Sequence, residues 1–198
     1  MQDQENKNPL FPIFLKMENL RLLIVGGGYV GHEKLTAILQ NSPTTTIRLV
    51  GIEIHQAIVE LSSHYPTVTL HQKTFDDEDM ENIAIAIIAI NDKETSKAIY
   101  LAAKSKGILV NVADTPDLCD FYLGSIVQKG NLKIAISTNG QSPTIAKRLK
   151  EVLIDTLPQE LDEILQRMHI IRDRLKGNFG QKVLQLNELT KGLVEKDP

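Results

Sequence analysis

Three glycines near the start of the chain have the spacing of a nucleotide-binding turn. Gly26, Gly28 and Gly31 form Gly-x-Gly-x-x-Gly directly after Arg21–Val25, an apolar run with the composition of a buried strand. In such a turn the first glycine permits a tight bend, the second lets the backbone approach a pyrophosphate, and the third lets the next helix pack on the strand. Because the free amides of that helix start face the phosphates, the turn predicts a bound dinucleotide.

An acidic residue behind the second predicted strand, Ile47–Val50, indicates which dinucleotide binds. Glu53 follows that strand where an acid holds the ribose hydroxyls of NAD, and no arginine follows it to hold the 2′-phosphate of NADP. We therefore predict NAD as the cofactor, although Glu53 could equally be a solvated acid that caps the next helix. The predicted cofactor contacts are Gly26, Gly28, Tyr29, Val30, Gly31, Ile52, Glu53 and Asn91.

A carboxylate follows another predicted strand, Ile108–Val112. Asp114 stands at the carboxyl end of that strand, where the ligands of open α/β sheets bind, so it could handle a proton or hold a ligand. The same residue could instead start a turn before Thr115-Pro116. Its position in the sequence leaves both interpretations open.

The loop Ser137–Gln141 and the helix start at Ser142-Pro143 offer hydroxyls and free amides to an anionic ligand. Three basic residues follow on that helix, although a basic row of this kind is usually a solvated face; they are Lys147, Arg148 and Lys150.

Histidine and cysteine spacing predicts no metal site. The five histidines lack a spacing such as His-Glu-x-x-His; they are His32, His55, His64, His71 and His169. Cys119 has no second cysteine to pair with, so it is interpreted as a small packed side chain in a reducing compartment.

The hydrophobic pattern predicts the sheet that would bring these strand ends together. Strand-like and helix-like runs alternate, and repeated βα units predict a doubly wound parallel α/β sheet of the Rossmann type. Leu10–Leu15 is interrupted by proline and predicts an edge strand. The runs behind the glycine turn are a helix over 30–40, the strand Ile47–Val50, a helix over Ile54–Ser63, the strand Val68–His71, the doubly covered strand Ile83–Ile90, a helix over Thr95–Lys106 and the strand Ile108–Val112.

The pattern changes after Asp114. Tyr122–Gln128 and Leu132–Ser137 predict two strands joined as a hairpin. A helix then begins at Ser142-Pro143, and a helical tail begins at Pro158, with a break near Gly177-Asn178. We therefore predict a dinucleotide-binding domain over 1–114, a small α+β segment over 115–156 and a helical region over 157–198.

Composition places the chain among ordinary globular proteins. Of its 198 residues, 42% are hydrophobic and 24% charged, and the net charge of −3 argues against a nucleic-acid binder. No apolar run reaches the roughly 18 residues that a membrane-spanning helix needs. The polar first residues do not resemble a signal peptide, so we expect a cytoplasmic protein.

Three stretches in this order resemble the precorrin-2 dehydrogenase family, the short siroheme synthases: Leu10–Leu15 leading into Ile24–Gly28, then Asn111–Pro116, then Ser137–Pro143. The second and third stretches are specific to that family. The resemblance implies oxidation of precorrin-2 to sirohydrochlorin by NAD, and in some members insertion of ferrous iron to give siroheme. This chain differs from many members of the family at Gly31, where they have alanine, and at Glu33-Lys34, where they have an arginine before the lysine. These differences leave the fine cofactor preference open.

The resemblance also implies roles for individual residues and a homodimer joined through the segment after Asp114. Asp114 is similar to the essential aspartate of the family, proposed to handle protons or to position the macrocycle. The predicted substrate contacts are Asn111, Thr138, Asn139, Gly140, Ser142 and Arg148.

Two alternatives remain at this point. A bifunctional dehydrogenase and ferrochelatase would have the same sequence features, because iron can be held by the nitrogens of the substrate itself. A non-catalytic NAD-sensing module would explain the glycine turn, but not Asn111–Pro116 followed by Ser137–Pro143.

Overall fold

A computed structural model describes residues 8–175 and 179–190 of the chain. Short 3-10 helices lie at Met17–Asn19, Asp77–Met80 and Pro116–Leu118. The strands and longer helices are, in order, β1 (Arg21–Gly27), α1 (Tyr29–Asn41), β2 (Thr46–Ile54), α2 (Gln56–Ser62), β3 (Val68–Gln72), β4 (Ile85–Ile88), α3 (Lys93–Ser105), β5 (Leu109–Val112), β6 (Ser125–Lys129), β7 (Leu132–Ile136), α4 (Pro143–Thr156), α5 (Leu161–Arg174) and α6 (Phe179–Thr190).

Five parallel strands form one sheet in the order β3-β2-β1-β4-β5. The strand β1 lies between β2 and β4, with Leu22 opposite both Ile47 and Ile85. The chain therefore winds outward from β1 in both directions, which confirms the predicted doubly wound fold. Because the strands are parallel, their carboxyl ends lie along one edge of the sheet.

The two faces of this sheet are covered by different helices. Successive strand side chains point to opposite faces. Leu22 packs in an apolar cluster with Leu35 of α1, while its neighbour Leu23 packs in the opposite cluster with Ile99 of α3. Burial on both faces explains why β1 and β4 are uninterruptedly apolar rather than alternating.

From Ser125 onward, the described residues form a hairpin and three helices. The strands β6 and β7 pair antiparallel, and Lys129 faces Leu132 across a turn in which Gly130 has a φ of +55°. The backbone amide of Asn131 in this turn donates to the carboxylate of Asp162 on α5 at 2.7 Å. Helix α4 packs on β6, and α5 packs on α6. The predicted hairpin is confirmed.

The chain divides into two compact units. The first takes the residues up to Leu123 together with Asn139–Gln141, and the second takes Gly124–Thr138 and the residues from Ser142 onward. These boundaries differ from the three predicted parts, because residues 115–123 belong with the parallel sheet and α5 belongs with the hairpin unit.

Two strand predictions need correction. Leu10–Leu15 has no regular structure, because among the described residues no strand pairs with it, and Phe11 is 86% exposed. The strand β2 continues past Val50 to Ile54, because Gly27 of β1 still pairs with Ile54 after a shift in register. Glu53 therefore lies inside β2 rather than behind it.

The predicted break near Gly177-Asn178 lies outside the described residues. Within residues 8–175 and 179–190, no helix combines the length and the apolar character required to cross a membrane.

Candidate functional site

The glycine turn joins β1 to α1 with very little space around its first and third glycines. Gly26 has a φ of +121°, a conformation that side chains rarely adopt, and a Cβ there would collide with the carbonyl group of Ala89 behind β4. A Cβ on Gly31 would collide with the carbonyl oxygen of Gly26. The first and third glycines are therefore required by the packing of the turn itself, as the spacing predicted.

Gly28 differs from these two glycines. Its φ of −88° is open to every residue, and a Cβ built there has no atom of the described chain within 4 Å. It is the N-cap of α1, and no side chain of the described residues caps this helix start. A helix start without a cap leaves amides for an anion. The space beside Gly28 is open to a ligand, so these residues fit a bound pyrophosphate.

The carboxyl end of β2 carries the predicted ribose contact. Ile52 is 70% exposed, and the Glu53 carboxylate is exposed with no hydrogen-bond partner among the described residues. Glu53 does not cap the next helix, since the Nδ1 atom of His55 accepts from the amide of Ala57 at 3.2 Å and takes that role. The helix-cap interpretation of Glu53 is therefore wrong, and its carboxylate is available to a ribose.

Sequence reasoning did not connect His55 with this site. Its backbone amide donates to the carbonyl oxygen of Gly27 at 2.8 Å, so it lies against the glycine turn. Its ring packs on the ring of Tyr29, with centroids 4.8 Å apart. Tyr29 is 79% exposed. The available signal was the position of His55 directly behind a strand of the sheet, but histidine is not among the usual N-cap residues.

The ends of β4 and β5 continue this edge. Asn91 is exposed behind β4, and the next residue, Asp92, caps α3 by accepting from the amide of Thr95 at 2.7 Å. The amide of Ala113 donates to the carbonyl oxygen of Ile88 at 2.9 Å, which joins the two strand ends.

Asp114 follows directly behind Ala113 in a strained backbone conformation. Its φ is +56°, which aspartate tolerates better than most side chains. Its carboxylate is exposed and has no hydrogen-bond partner among the described residues. The turn is closed instead by the backbone amide of Thr115, which donates to the carbonyl oxygen of Val112 at 3.2 Å. The side chain of Asp114 is thus not used to form the turn.

Asn111 lies behind this surface. It is 7% exposed, and its amide nitrogen donates to the carbonyl oxygen of Phe121 at 2.8 Å. This contact within the loop favours a structural role, and the predicted substrate contact of Asn111 has no support from its placement.

Two more side chains hold the loop behind β5. The Cys119 sulfur lies 3.3 Å from the carbonyl oxygens of both Val112 and Thr115, and its one S–H donates to either of them. Burial raises the pKa of this thiol, which agrees with a packed side chain rather than a nucleophile. Although partial burial favours a higher pKa for Asp120, hydrogen bonds from Lys104 and from the amide of Val110 hold that pKa below its ordinary value.

The predicted substrate residues of the second unit mostly contact one another. The Thr138 hydroxyl donates to the carbonyl oxygen of Ser142 and accepts from its amide, both at 3.1 Å. The Ser142 hydroxyl caps α4 by accepting from the amide of Ile145 at 3.2 Å, as predicted. Arg148 is exposed and pairs with Glu151 at 2.8 Å. The substrate contacts of these residues stay predictions.

Asn139 and Gly140 lie in the loop before α4 with φ values of +53° and +75°. Gly140 is exposed, and a Cβ there has no described atom within 4 Å. In the part of the chain that the structure describes, no three metal-binding side chains come together.

Comparison with known proteins agrees with the fold and with dinucleotide binding. Residues 13–125 match the family described as putative NAD(P)-binding, and residues 129–155 match the central part of sirohaem biosynthesis proteins. The siroheme synthase of Methylococcus capsulatus is 34% identical over 165 residues, which are 83% of this chain and 34% of that protein. The siroheme synthase of Psychrobacter arcticus is 35% identical over 170 residues, 85% of this chain and 30% of that protein. The chain thus spans about a third of the length of these curated relatives.

A solved structure has the same fold along nearly the whole chain. The structure named "SirC, precorrin-2 dehydrogenase" superimposes with a TM-score of 0.72 and covers 94% of this chain and 90% of its own. At 23% identity, this likeness shows a common fold.

Proposed function

The chain belongs to the family of putative NAD(P)-binding proteins, and from that premise we propose that it catalyses the NAD-dependent oxidation of precorrin-2 to sirohydrochlorin in siroheme biosynthesis. The observation that carries the proposal is that the carboxyl edge of one sheet presents both the open helix start at Gly28 and the Asp114 carboxylate. Among the described residues, no side chain caps that helix start and none bonds to that carboxylate. Likeness to siroheme synthases supports the tetrapyrrole as the substrate.

The cofactor part of this proposal follows from the chemistry of the edge. NAD, when bound, supplies the acceptor for a hydride. The amides at Gly28 and at the start of α1 bind its pyrophosphate, and the Glu53 carboxylate accepts hydrogen bonds from the ribose hydroxyls. Because the same carboxylate would repel a 2′-phosphate, the chain prefers NAD to NADP. Tyr29, Val30, Ile52 and Asn91 complete the proposed contacts.

Asp114 takes the catalytic role. Oxidation of precorrin-2 removes one hydride and one proton, and a carboxylate oxygen of Asp114 accepts the proton or holds the macrocycle where the hydride can leave. The many carboxylates of the substrate favour the Arg148 guanidinium and the amides of Asn139 and Gly140 as further contacts. Thr138 and Ser142 shape that loop through the hydrogen bonds they make to each other.

The deciding experiment is a spectrophotometric assay with precorrin-2 and NAD. With the wild-type protein we expect NADH and sirohydrochlorin to form at the same rate. With Asp114→Gly we expect both rates to be much lower. Gly is chosen because it removes the carboxylate and accepts a positive φ without strain. NAD binding without any turnover of precorrin-2 would contradict the proposal and would favour a non-catalytic NAD-binding module.

Iron insertion is the second activity to measure, because the curated relatives are named siroheme synthases. In that arm ferrous iron is a substrate, added with sirohydrochlorin, and siroheme is followed by its absorbance. If the protein forms sirohydrochlorin but no siroheme in the presence of ferrous iron, its activity is limited to the oxidation.

A homodimer belongs to the same proposal. Three apolar residues follow one another at helical spacing along α4, namely Ile145, Leu149 and Val152, and they are between 45% and 58% exposed. A two-stranded hairpin with an exposed apolar helix needs further packing. We expect light scattering to give the mass of a dimer for the wild type and of a monomer for Leu149→Glu. Lys147→Glu, a charge change on the same helix, is the matched control and should remain dimeric.

The proposed location is the cytoplasm. Cys119 is a free thiol, which is the usual state of cysteine in a reducing compartment.

A further inference from the structure

A loop behind β5, residues 113–121, carries Asp114 and then returns along the outer side of the same strand. The strand β5 is an edge of the sheet. The amide of Asp120 donates to the carbonyl oxygen of Val110 at 2.7 Å, and the amide of Val110 donates to the Asp120 carboxylate at 2.9 Å. Asp120 therefore satisfies both backbone groups of Val110 that a sixth strand would otherwise pair with.

A helix on one face of the sheet holds the same carboxylate. The Nζ atom of Lys104, in the last turn of α3, lies 2.7 and 2.8 Å from the two carboxylate oxygens of Asp120. One side chain thus connects the loop, the edge strand and the helix. A contact from Asn111 to the carbonyl oxygen of Phe121, at 2.8 Å, holds the next residue of the loop.

Asp114 depends for its position on the attachment of this loop at both ends. Its carboxylate has no partner among the described residues that would orient it, and its backbone has the positive φ that the loop imposes. A strained backbone conformation persists only where contacts of the surrounding structure hold the backbone in it. The amides of Ala113 and Thr115 hold the start of the loop through the carbonyl oxygens of Ile88 and Val112, and the contacts of Asp120 hold its return, so the conformation at Asp114 is set by both ends of the loop.

On this basis, and relying on the proposed function for the role of Asp114, we propose that Lys104 and Asp120 are positioning residues of the dehydrogenase. They touch neither cofactor nor substrate; they hold the loop so that the Asp114 carboxylate meets precorrin-2 in a fixed geometry. A displacement of about 1 Å at a reacting group can reduce a rate by about a hundredfold.

The test uses Lys104→Met, Asp120→Asn and Lys104→Arg in the full chain. We expect kcat with precorrin-2 to fall at least about tenfold in Lys104→Met and Asp120→Asn, while the Kd of NAD stays within about twofold of the wild type. Lys104→Arg should restore the rate, because a guanidinium can hold both carboxylate oxygens. Lys97→Met removes an exposed lysine from the same helix and should behave as the wild type.

Hydrogen exchange of the backbone amides supplies a readout that does not depend on activity. The amides of residues 113–121 should exchange faster in Lys104→Met than in Lys97→Met, while those of β4 stay protected. Unchanged exchange in this loop, or a full kcat in Lys104→Met, would overturn the positioning role and leave the proposed function intact. A wild type that does not oxidise precorrin-2 would overturn the proposed function, and the role of the two residues in turnover with it.

Discussion

The substitution Gly28→Val separates ligand binding at the glycine turn from folding of the domain. A Cβ at Gly28 has no described atom within 4 Å, and the φ of −88° suits valine. Replacing glycine restricts the unfolded chain, which stabilises by about 0.4–1 kcal/mol, while losing glycine as the N-cap costs a similar amount, up to about 1 kcal/mol. We therefore expect the free energy of unfolding to change by less than about 1 kcal/mol, which corresponds to a Tm shift of about 2–4 °C.

The effect on NAD should be much larger than the effect on folding. The valine side chain would fill the space in which the backbone meets the pyrophosphate and would remove at least one hydrogen bond to a charged group. Such a bond contributes about 1.5–3 kcal/mol, so the Kd should rise roughly 10- to 150-fold. Calorimetric titration with NAD, on protein whose Tm has been measured, checks both numbers.

Gly31→Ala is the contrasting variant. Its single added methyl group collides with the carbonyl oxygen of Gly26, so this smaller change should lower the Tm more than Gly28→Val does. If Gly28→Val folded and bound NAD with unchanged affinity, the assignment of the glycine turn as the pyrophosphate site would be refuted. If Gly31→Ala kept the wild-type Tm, the conclusion that α1 lies too close to β1 for a side chain at position 31 would be wrong.

Three further predictions concern carboxylates in or near the parallel sheet, namely Asp114, Glu53 and Asp120. Asp114→Asn and Asp114→Gly should both keep the wild-type Tm, since asparagine and glycine both tolerate the positive φ. If Asp114 transfers a proton, kcat should fall roughly a hundred- to ten-thousandfold in both variants. Full activity in Asp114→Asn together with lost activity in Asp114→Gly would indicate that Asp114 positions the substrate. Glu53→Ser should raise the Kd of NAD and lower that of NADP in parallel titrations, and an unchanged ratio would contradict the ribose contact. Urea unfolding should find the wild type more stable than Asp120→Asn by about 0.2–1 kcal/mol at pH 7. Because the folded pKa of Asp120 is lowered, this difference should begin to shrink as the pH falls through the ordinary aspartate pKa of about 3.9, and it should vanish only below the lower folded pKa. A difference that is the same at pH 3 as at pH 7 would contradict the ion pair with Lys104.

Local and periodic features of the fold could be predicted from the sequence. The glycine spacing gave the turn between β1 and α1, and the continuous apolar run around Ile85–Ile88 gave a strand covered on both faces. The start of α4 was predicted from Ser142 and Pro143 because a cap is a contact between near neighbours, here between the Ser142 hydroxyl and the amide of Ile145.

Contacts that depend on the order of the strands could not be predicted in this way. The pairing of Asp120 with Val110 follows only once β5 is known to be an edge strand, and nothing in either residue indicates it. Leu10–Leu15 has the apolar character of a strand, yet a strand also needs a partner, and the sequence does not say whether one is free. The length of β2 was underestimated for the same reason, because its last pair, Gly27 with Ile54, follows a shift in register.

The residue at position 114 gives the strongest argument that its side chain has a use beyond the turn. A positive φ is least costly for glycine, and the chain places glycine at other such positions, including Gly107 and Gly130. At position 114 it has an aspartate whose carboxylate makes no turn hydrogen bond among the described residues. For most side chains this conformation costs about 1–2 kcal/mol, and aspartate avoids only part of that cost. If the turn alone mattered, Asp114→Gly would be neutral or stabilising with unchanged turnover. A variant that is at least as stable as the wild type and yet inactive would show that stability is given up here for chemistry, as is common at functional sites.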